Sequence, residues 1–311
     1  MKESIILFIK GIAMGAANVI PGVSGGTIAL ITGIFERLIN AIKSINVKAL
    51  KLLFSGEFKN FALHTDFWFL VLVFSGVGVA ILSLARLFDF LFTHYPVYIW
   101  SYFFGLILAS VYFVGKTVEK WSLSVWISFI LGAAVAFAIT FLSPASENRD
   151  FFYLIICGVV AVCSMILPGL SGSFVLILMG NYQLVAIEAI NNLDFNLLLP
   201  VLIGMVGGLI LFSHFLSWLL KKFKDQTIST LTGFIFGSLG VIWPWKKTIY
   251  ITDQLGQTVV KAGKAVVEKY VVILPETFGI EEMIAILLML AGIISIWIIE
   301  KTAKSNSETV N

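Results

Sequence analysis

Two short segments rich in glycine, serine and proline interrupt long apolar runs, and they are the strongest candidates for chemistry. Residues 18–27 read NVIPGVSGGT and residues 165–174 read MILPGLSGSF. Glycine lets another group approach the backbone closely, and a helix restarting at the serine of either segment presents unpaired N–H groups that suit an anion. The candidate binding residues are Asn18, Gly22, Ser24, Gly25, Gly26 and Thr27 in the first segment and Gly169, Ser171, Gly172 and Ser173 in the second.

Two ionisable residues inside apolar runs are further candidates. Arg86 is costly to place in a membrane, which indicates a function, although Asp89 three residues on is close enough to neutralise it instead. His214 lies 128 residues after Arg86 and is either a titratable binding group or an ordinary structural residue. We expect Arg86 to capture an anionic group on one side of the membrane and His214 to release it on the other.

The composition assigns these residues to an integral membrane protein. Of the 311 residues, 59% are hydrophobic and 13% charged, with a mean hydropathy of +0.99, against about 45–50% apolar and about 25% charged in soluble domains. The net charge of +3 is spread over loops. These values exclude an ordinary soluble enzyme, a disordered protein and a nucleic-acid binder. Cys157 and Cys163, on nearly opposite faces of one apolar helix, predict neither a disulfide nor a metal site.

Apolar runs long enough to span a bilayer predict an all-α fold. The run 151–187 is too long for one span, because its 37 residues would form a helix of about 55 Å against a hydrocarbon core of about 30 Å. We therefore expect two re-entrant hairpins, residues 4–35 and 151–190, each turning back at its Pro-Gly segment. The predicted spanning helices are residues 67–92, 97–115, 122–142, 195–220, 226–245 and 283–299.

The chain contains an internal repeat. The Pro-Gly segments align at an offset of 147 and the helices that follow them at an offset of 128. Residues 1–150 and 151–311 are thus predicted to be two halves, each a hairpin followed by three spanning helices. An odd number of crossings per half forces the halves into opposite orientations, so the two hairpin tips are expected to meet near the middle of the membrane. Identical pairs include Gly11/Gly158, Pro21/Pro168, Gly76/Gly204 and Gly105/Gly233.

The distribution of Lys and Arg predicts the orientation in the membrane. If the first hairpin enters from the cytoplasm, most of these residues lie in inside segments, and the short outside loops hold only Arg149. Both termini are then cytoplasmic. Residues 246–282 form an extracytoplasmic insert, which is either a helix on the membrane surface or a soluble loop.

The two Pro-Gly segments and the motif Trp243-Pro244-Trp245-Lys246 resemble those of a bacterial family long catalogued as a domain of unknown function and now named polyprenyl-phosphate transporters. The resemblance covers residues 4–300 except for 246–282. It implies a flippase that returns undecaprenyl phosphate, the lipid carrier of cell-wall precursors, from the outer to the inner leaflet of the bacterial plasma membrane. It implies no set of binding residues, so those named above rest on the physical argument.

Two other functions stay open. A transporter of a small soluble anion would use the same helix breaks but would need a site closed to lipid. A membrane enzyme acting on lipid phosphates is disfavoured, because His64, His94 and His214 are far apart in sequence and no ATP phosphate loop is present. No cofactor or metal is predicted, and coupling to protons or another ion stays open. The expected partners are the polyprenyl-phosphate lipid and the bilayer, with no nucleic acid.

Overall fold

The computed structural model describes residues 2–19, 24–140, 142, 145–250, 260–261, 264–265, 267–275 and 278–308. These residues form an all-α protein, apart from two small antiparallel sheets, as the apolar runs predict. Among them, four helices are long and apolar enough to cross a membrane, or five if one bent helix pair is a single span. The protein is therefore a multi-pass membrane protein.

A broken helix opens the first half of the chain. Helix α1 ends shortly before Ser24 and α2 begins directly after it, and the chain bends by 118° between α2 and α3. Residues 36–66, for which the sequence predicts no element, contain three short helices. The bounds are α1 Lys2–Val19, α2 Gly25–Ile31, α3 Phe35–Lys43, α4 Val47–Phe54, α5 Phe58–His64, α6 Phe67–His94, α7 Pro96–Gly115 and α8 Leu123–Ile139.

The second half begins with a broken helix of the same kind. Helix α9 ends before the Pro-Gly segment and α10 begins after Ser171, so both predicted breaks interrupt helices. The helices are α9 Phe151–Ile166, α10 Gly172–Leu178, a π-helical turn Gln183–Glu188, α11 Ala189–Asn191, α12 Phe195–Lys222, α13 Lys224–Gly237, a 3₁₀ turn Ser238–Gly240 and α14 Ile280–Glu308. Strand β1 Lys246–Tyr250 pairs with β4 Val267–Val272, and β2 Val260–Lys261 pairs with β3 Lys264–Ala265.

Two predicted elements need correction. The helix expected over 226–245 ends at Gly237, because glycines favour helix ends and Pro244 cannot continue a helix. In the insert 246–282, the described residues include paired strands rather than a surface helix or a plain loop. Their Val, Ile, Thr and Tyr residues favour extended backbone. The other predicted spans begin within three residues of the observed helices.

Helices cross closely at matching glycines in the two halves. A Cβ on Gly11 of α1 would overlap the carbonyl oxygen of Val73 of α6, so the two helices are in close contact there. At the equivalent position, a Cβ on Gly158 of α9 would overlap the carbonyl oxygen of Val201 of α12, so these helices are also in close contact. Small residues allow this close approach of helix backbones in membrane proteins.

Two further crossings join the halves to each other. Helix α7 packs on α14 and α8 packs on α13, again with glycines facing backbone. Helices α8 and α13 run parallel, since Ser229 meets Val125 near the start of both helices and Gly237 meets Ala133 further along both. The glycines and the residues they face are Gly105 with Met289, Gly292 with Tyr102, Gly132 with Thr230, and Gly233 with Phe129.

The largest buried cluster lies where these helices converge on the first break. Both halves contribute to it, with residues from α1, α2, α3, α6, α7, α8, α12, α13 and α14. Ile28 and Ala29 of α2 belong to this cluster, and Ile166 and Leu167 at the end of α9 pack against it. The two helix breaks are thus fixed to the centre of the core.

Candidate functional site at the two helix breaks

At the first break, the described residues 24–27 are buried and bonded within the protein, whereas Asn18 at the end of α1 is exposed. Ser24 has an extended backbone, and its hydroxyl caps α2 by accepting the N–H of Gly26 at 3.1 Å. The Asn18 side chain reaches back from α1, and its Oδ1 accepts the N–H of Gly25 at 2.7 Å. Ser24 and Thr27 are at most 1% exposed. In this conformation, the N–H groups of Gly25 and Gly26 are already bonded to side chains of the protein.

The second break is more open. Ser171 also precedes its helix in an extended conformation, but its hydroxyl makes no capping bond and instead pairs with the Ser173 hydroxyl at 2.8 Å. Ser173 is exposed, whereas Gly172 is buried. Met165 stands where the repeat has Asn18, so no amide reaches back to this helix start. The second break is therefore the one with hydroxyl donors accessible to a ligand.

The expected contact between the two breaks is present. The Ser24 hydroxyl donates to the backbone carbonyl of Met165 at 3.1 Å. The N–H of Gly169 donates to the Thr27 hydroxyl at 3.1 Å, in a buried bond. Gly26 lies so close to α9 that a Cβ would overlap the carbonyl oxygen of Ile166. The halves of the protein thus meet through the candidate residues themselves.

A small cavity lies beside the second break. Gly169, Leu170, Ser171 and Phe174 line it from the break and α10. The opposite wall comes from the end of α8 and the turn after α13, namely Ala136, Ile139, Thr140, Ser238 and Val241. The cavity measures about 10 Å³, room for about one water molecule, and its lining residues hold no pairing of a nucleophile with a base.

Lys246 is a cationic residue near this cavity that was not among the sequence candidates. Its ammonium donates to the carbonyl oxygen of Val241, which lines the cavity, and lies 3.9 Å from the centre of the Trp100 ring. Burial lowers the pKa of Lys246 to about 7. In the sequence, only its position at the end of the Trp-Pro-Trp-Lys motif pointed to Lys246 as a candidate.

The remaining predicted residues do not join the two breaks. Gly22 lies outside the described residues, and of Arg86 only its backbone on α6 is described, eight residues before the end of that helix. His214 is exposed and bonds the carbonyl oxygen of Ile210 on its own helix at 2.8 Å. It shares that face of α12 with exposed apolar residues such as Leu211. The structure thus puts His214 on an apolar outer surface.

Comparisons with known proteins identify the family. A family model named VCA0040-like and described as undecaprenyl phosphate translocase-like matches residues 14–259. A polyprenyl-phosphate transporter of Vibrio cholerae is 44% identical over 242 residues, 78% of each chain. One of Staphylococcus aureus is 31% identical over 256 residues, 77% of this chain and 86% of the relative. No solved structure matches significantly. The protein is thus a transporter and not an enzyme, and it belongs to the VCA0040-like, undecaprenyl phosphate translocase-like family.

Proposed function

We propose that the protein carries polyprenyl phosphate from the outer to the inner leaflet of the bacterial plasma membrane, returning undecaprenyl phosphate for cell-wall synthesis. The observation that carries the proposal is the family match together with two relatives, each named a polyprenyl-phosphate transporter and each aligned over more than three quarters of the chain. A phosphate head group on an apolar tail needs shielding only at its head, because the tail stays in lipid.

The two halves form an inverted repeat. Helix α7 and its repeat partner α13 provide the support. Gly115 at the end of α7 approaches Thr232 of α13, and Phe104 in the middle of α7 contacts Trp243 in the segment after α13. The two equivalent helices therefore run antiparallel. Opposite orientation of equivalent elements is the arrangement that alternating-access transporters use around a central site.

The basic connectors face the cytoplasm. Asp225, at the start of α13, accepts the N–H groups of Glu119 and Lys120, which precede α8, both at 3.1 Å. These two bonds hold the α7–α8 and α12–α13 connectors on one side of the protein, and five lysines lie in these connectors or at the adjoining helix ends. An excess of Lys and Arg in short loops marks the cytoplasmic side. Both termini share that side in the proposed topology.

The head group binds where the two breaks meet. Ser171 and Ser173 offer accessible hydroxyl donors, while the first break supplies Asn18, Ser24 and the glycine N–H groups once their internal bonds are exchanged for phosphate. Hydrogen bonds to a charged group are stronger than those between neutral groups, which favours this exchange. In the proposed transport cycle, Arg86 captures the phosphate head group on the outer side of the membrane and His214 releases it on the inner side.

Leaflet exchange in liposomes tests the proposal. The protein is reconstituted, and the outer-leaflet fraction of a fluorescent polyprenyl phosphate is followed by chemical quenching, with protein-free liposomes as the control. We expect exchange only in protein-containing liposomes. Uptake of radiolabelled inorganic phosphate, measured in parallel, separates the lipid carrier from a transporter of soluble anions. Phosphate uptake without lipid exchange would contradict the proposal.

A further inference from the structure

A polar cluster joins α3 of the first half to α12 of the second. Helix α3 buries one face, with Phe35, Leu38 and Ile42 in the core, and carries Asn40 on its exposed face. Half-buried Lys43 lies near that face, in the last turn of α3. The two helices pack together, so these polar groups lie at a boundary between the halves.

A chain of hydrogen bonds runs through this cluster. The Lys43 ammonium donates to the Ser217 hydroxyl at 3.2 Å, and that hydroxyl donates to Asn40 Oδ1 at 3.0 Å. Ser217 is only 2% exposed. A lysine has three N–H donors and an asparagine amide has two. This chain of bonds therefore does not use the other N–H groups of Lys43 or the Nδ2 group of Asn40.

The positive charge of Lys43 is not neutralised by any described carboxylate within 4 Å. The other cation on α3, Arg37, is bound to Asp66 at 2.6 Å and lies 3.7 Å from Glu3. A half-buried charge without an ion-pair partner attracts an anion strongly, because solvent screens it little. Lys43 is thus the cation of this helix that is available to a ligand.

Apolar surface borders the cluster. On α12, Trp218 follows Ser217 and is 48% exposed, and its ring stacks on that of Phe215, which lies on the outer side of the helix, away from Ser217. A ligand with a phosphate at Lys43 can therefore place an apolar tail against Trp218 at the edge of the cluster. The cluster also lies near the end of α12, on the side of the basic connectors.

We propose that Lys43 and Asn40, oriented by Ser217, form a second site for a phosphate monoester, at which the head group is held on the cytoplasmic side before release. The assignment rests on the proposed transport of polyprenyl phosphate. The chemistry that Lys43 and Asn40 recognise is the phosphate monoester, and inorganic phosphate presents a similar anion. The apolar surface of α12 favours the lipid as its source.

Binding of farnesyl phosphate to the protein in nanodiscs of zwitterionic lipid tests this site. Lys43→Gln keeps a donor for Ser217 but removes the charge, and we expect its Kd to rise about tenfold or more. Lys48→Gln is the matched control, since it removes the same charge from an exposed position on α4, and its Kd should stay that of the wild type. Lys43→Arg should restore most of the affinity.

Two outcomes would overturn the site. One is a Kd for Lys43→Gln equal to that of Lys48→Gln. The other is a loss in Lys43→Arg as large as in Lys43→Gln, which would show that the positive charge at this position does not bind the phosphate. Binding of inorganic phosphate with equal affinity and equal dependence on Lys43 would reject the lipid source. Lipid exchange by the wild-type protein is scored separately, so failure of this site and failure of the proposed function are distinguishable.

Discussion

Replacing Gly26 with alanine tests whether the contact between the two breaks stabilises the fold. A Cβ at Gly26 would overlap the carbonyl oxygen of Ile166, a backbone atom that moves only with α9. Such overpacking costs about 1–3 kcal/mol, and loss of the two hydrogen bonds between the breaks adds about 0.5–1.5 kcal/mol each. The better helix propensity of alanine returns only about 1 kcal/mol. We expect the free energy of unfolding to fall by about 1–5 kcal/mol.

Unfolding in mixed micelles, followed by tryptophan fluorescence, measures this loss. Gly78→Ala is the matched control, because an added Cβ on Gly78 in α6 meets no atom within 4 Å. That variant should be as stable as the wild type or more stable by up to about 1 kcal/mol. Equal stability of Gly26→Ala and Gly78→Ala would refute the contact between the breaks.

Three further predictions use the same protein. Ser24→Ala should lower the free energy of unfolding by about 1–3 kcal/mol, because the buried Ser24 hydroxyl caps α2. Ser171→Ala should lower it hardly at all, because the Ser171 hydroxyl makes no capping bond. Equal losses in the two variants would contradict this. Cysteines introduced at Asn148 and Lys222 should label from opposite sides of the membrane, and labelling from one side would reject the inverted repeat. Lys246 has its pKa lowered to about 7 in the folded state. The unfolded state then binds more protons above pH 7, so wild-type stability should rise from pH 7 toward 10 relative to Lys246→Met, and parallel pH curves would refute this.

The positions of the breaks could be predicted because their causes are local. Proline cannot continue a helix, and Ser24 and Ser171 are residues that start one. The repeat then predicted that the two segments meet, and the Ser24–Met165 bond agrees. The sequence also contains the reason that only the first break has an amide bonded to its helix start, since Met165 stands at the position that matches Asn18.

Other features depend on contacts that no local pattern specifies. The Lys43–Ser217 pair joins residues 174 positions apart, and nothing near either residue indicates the other. The apolar sequence after Gly237 reads as a continuing helix, yet the chain leaves the helix there and brings Lys246 over Trp100. The repeat position of His214 does not tell which face of α12 it occupies, and the structure places it among exposed apolar residues.

The most direct test of the account is leaflet exchange of labelled polyprenyl phosphate by a protein that lacks the accessible hydroxyls of the second break. Ser171→Ala with Ser173→Ala removes that pair and leaves the core intact. Ser122→Ala with Ser124→Ala removes a similar exposed hydroxyl pair, 3.0 Å apart, at the start of α8. The account predicts exchange about tenfold or more slower in the first variant and wild-type exchange in the second. Equal, wild-type rates in both would contradict a head-group site at the helix breaks.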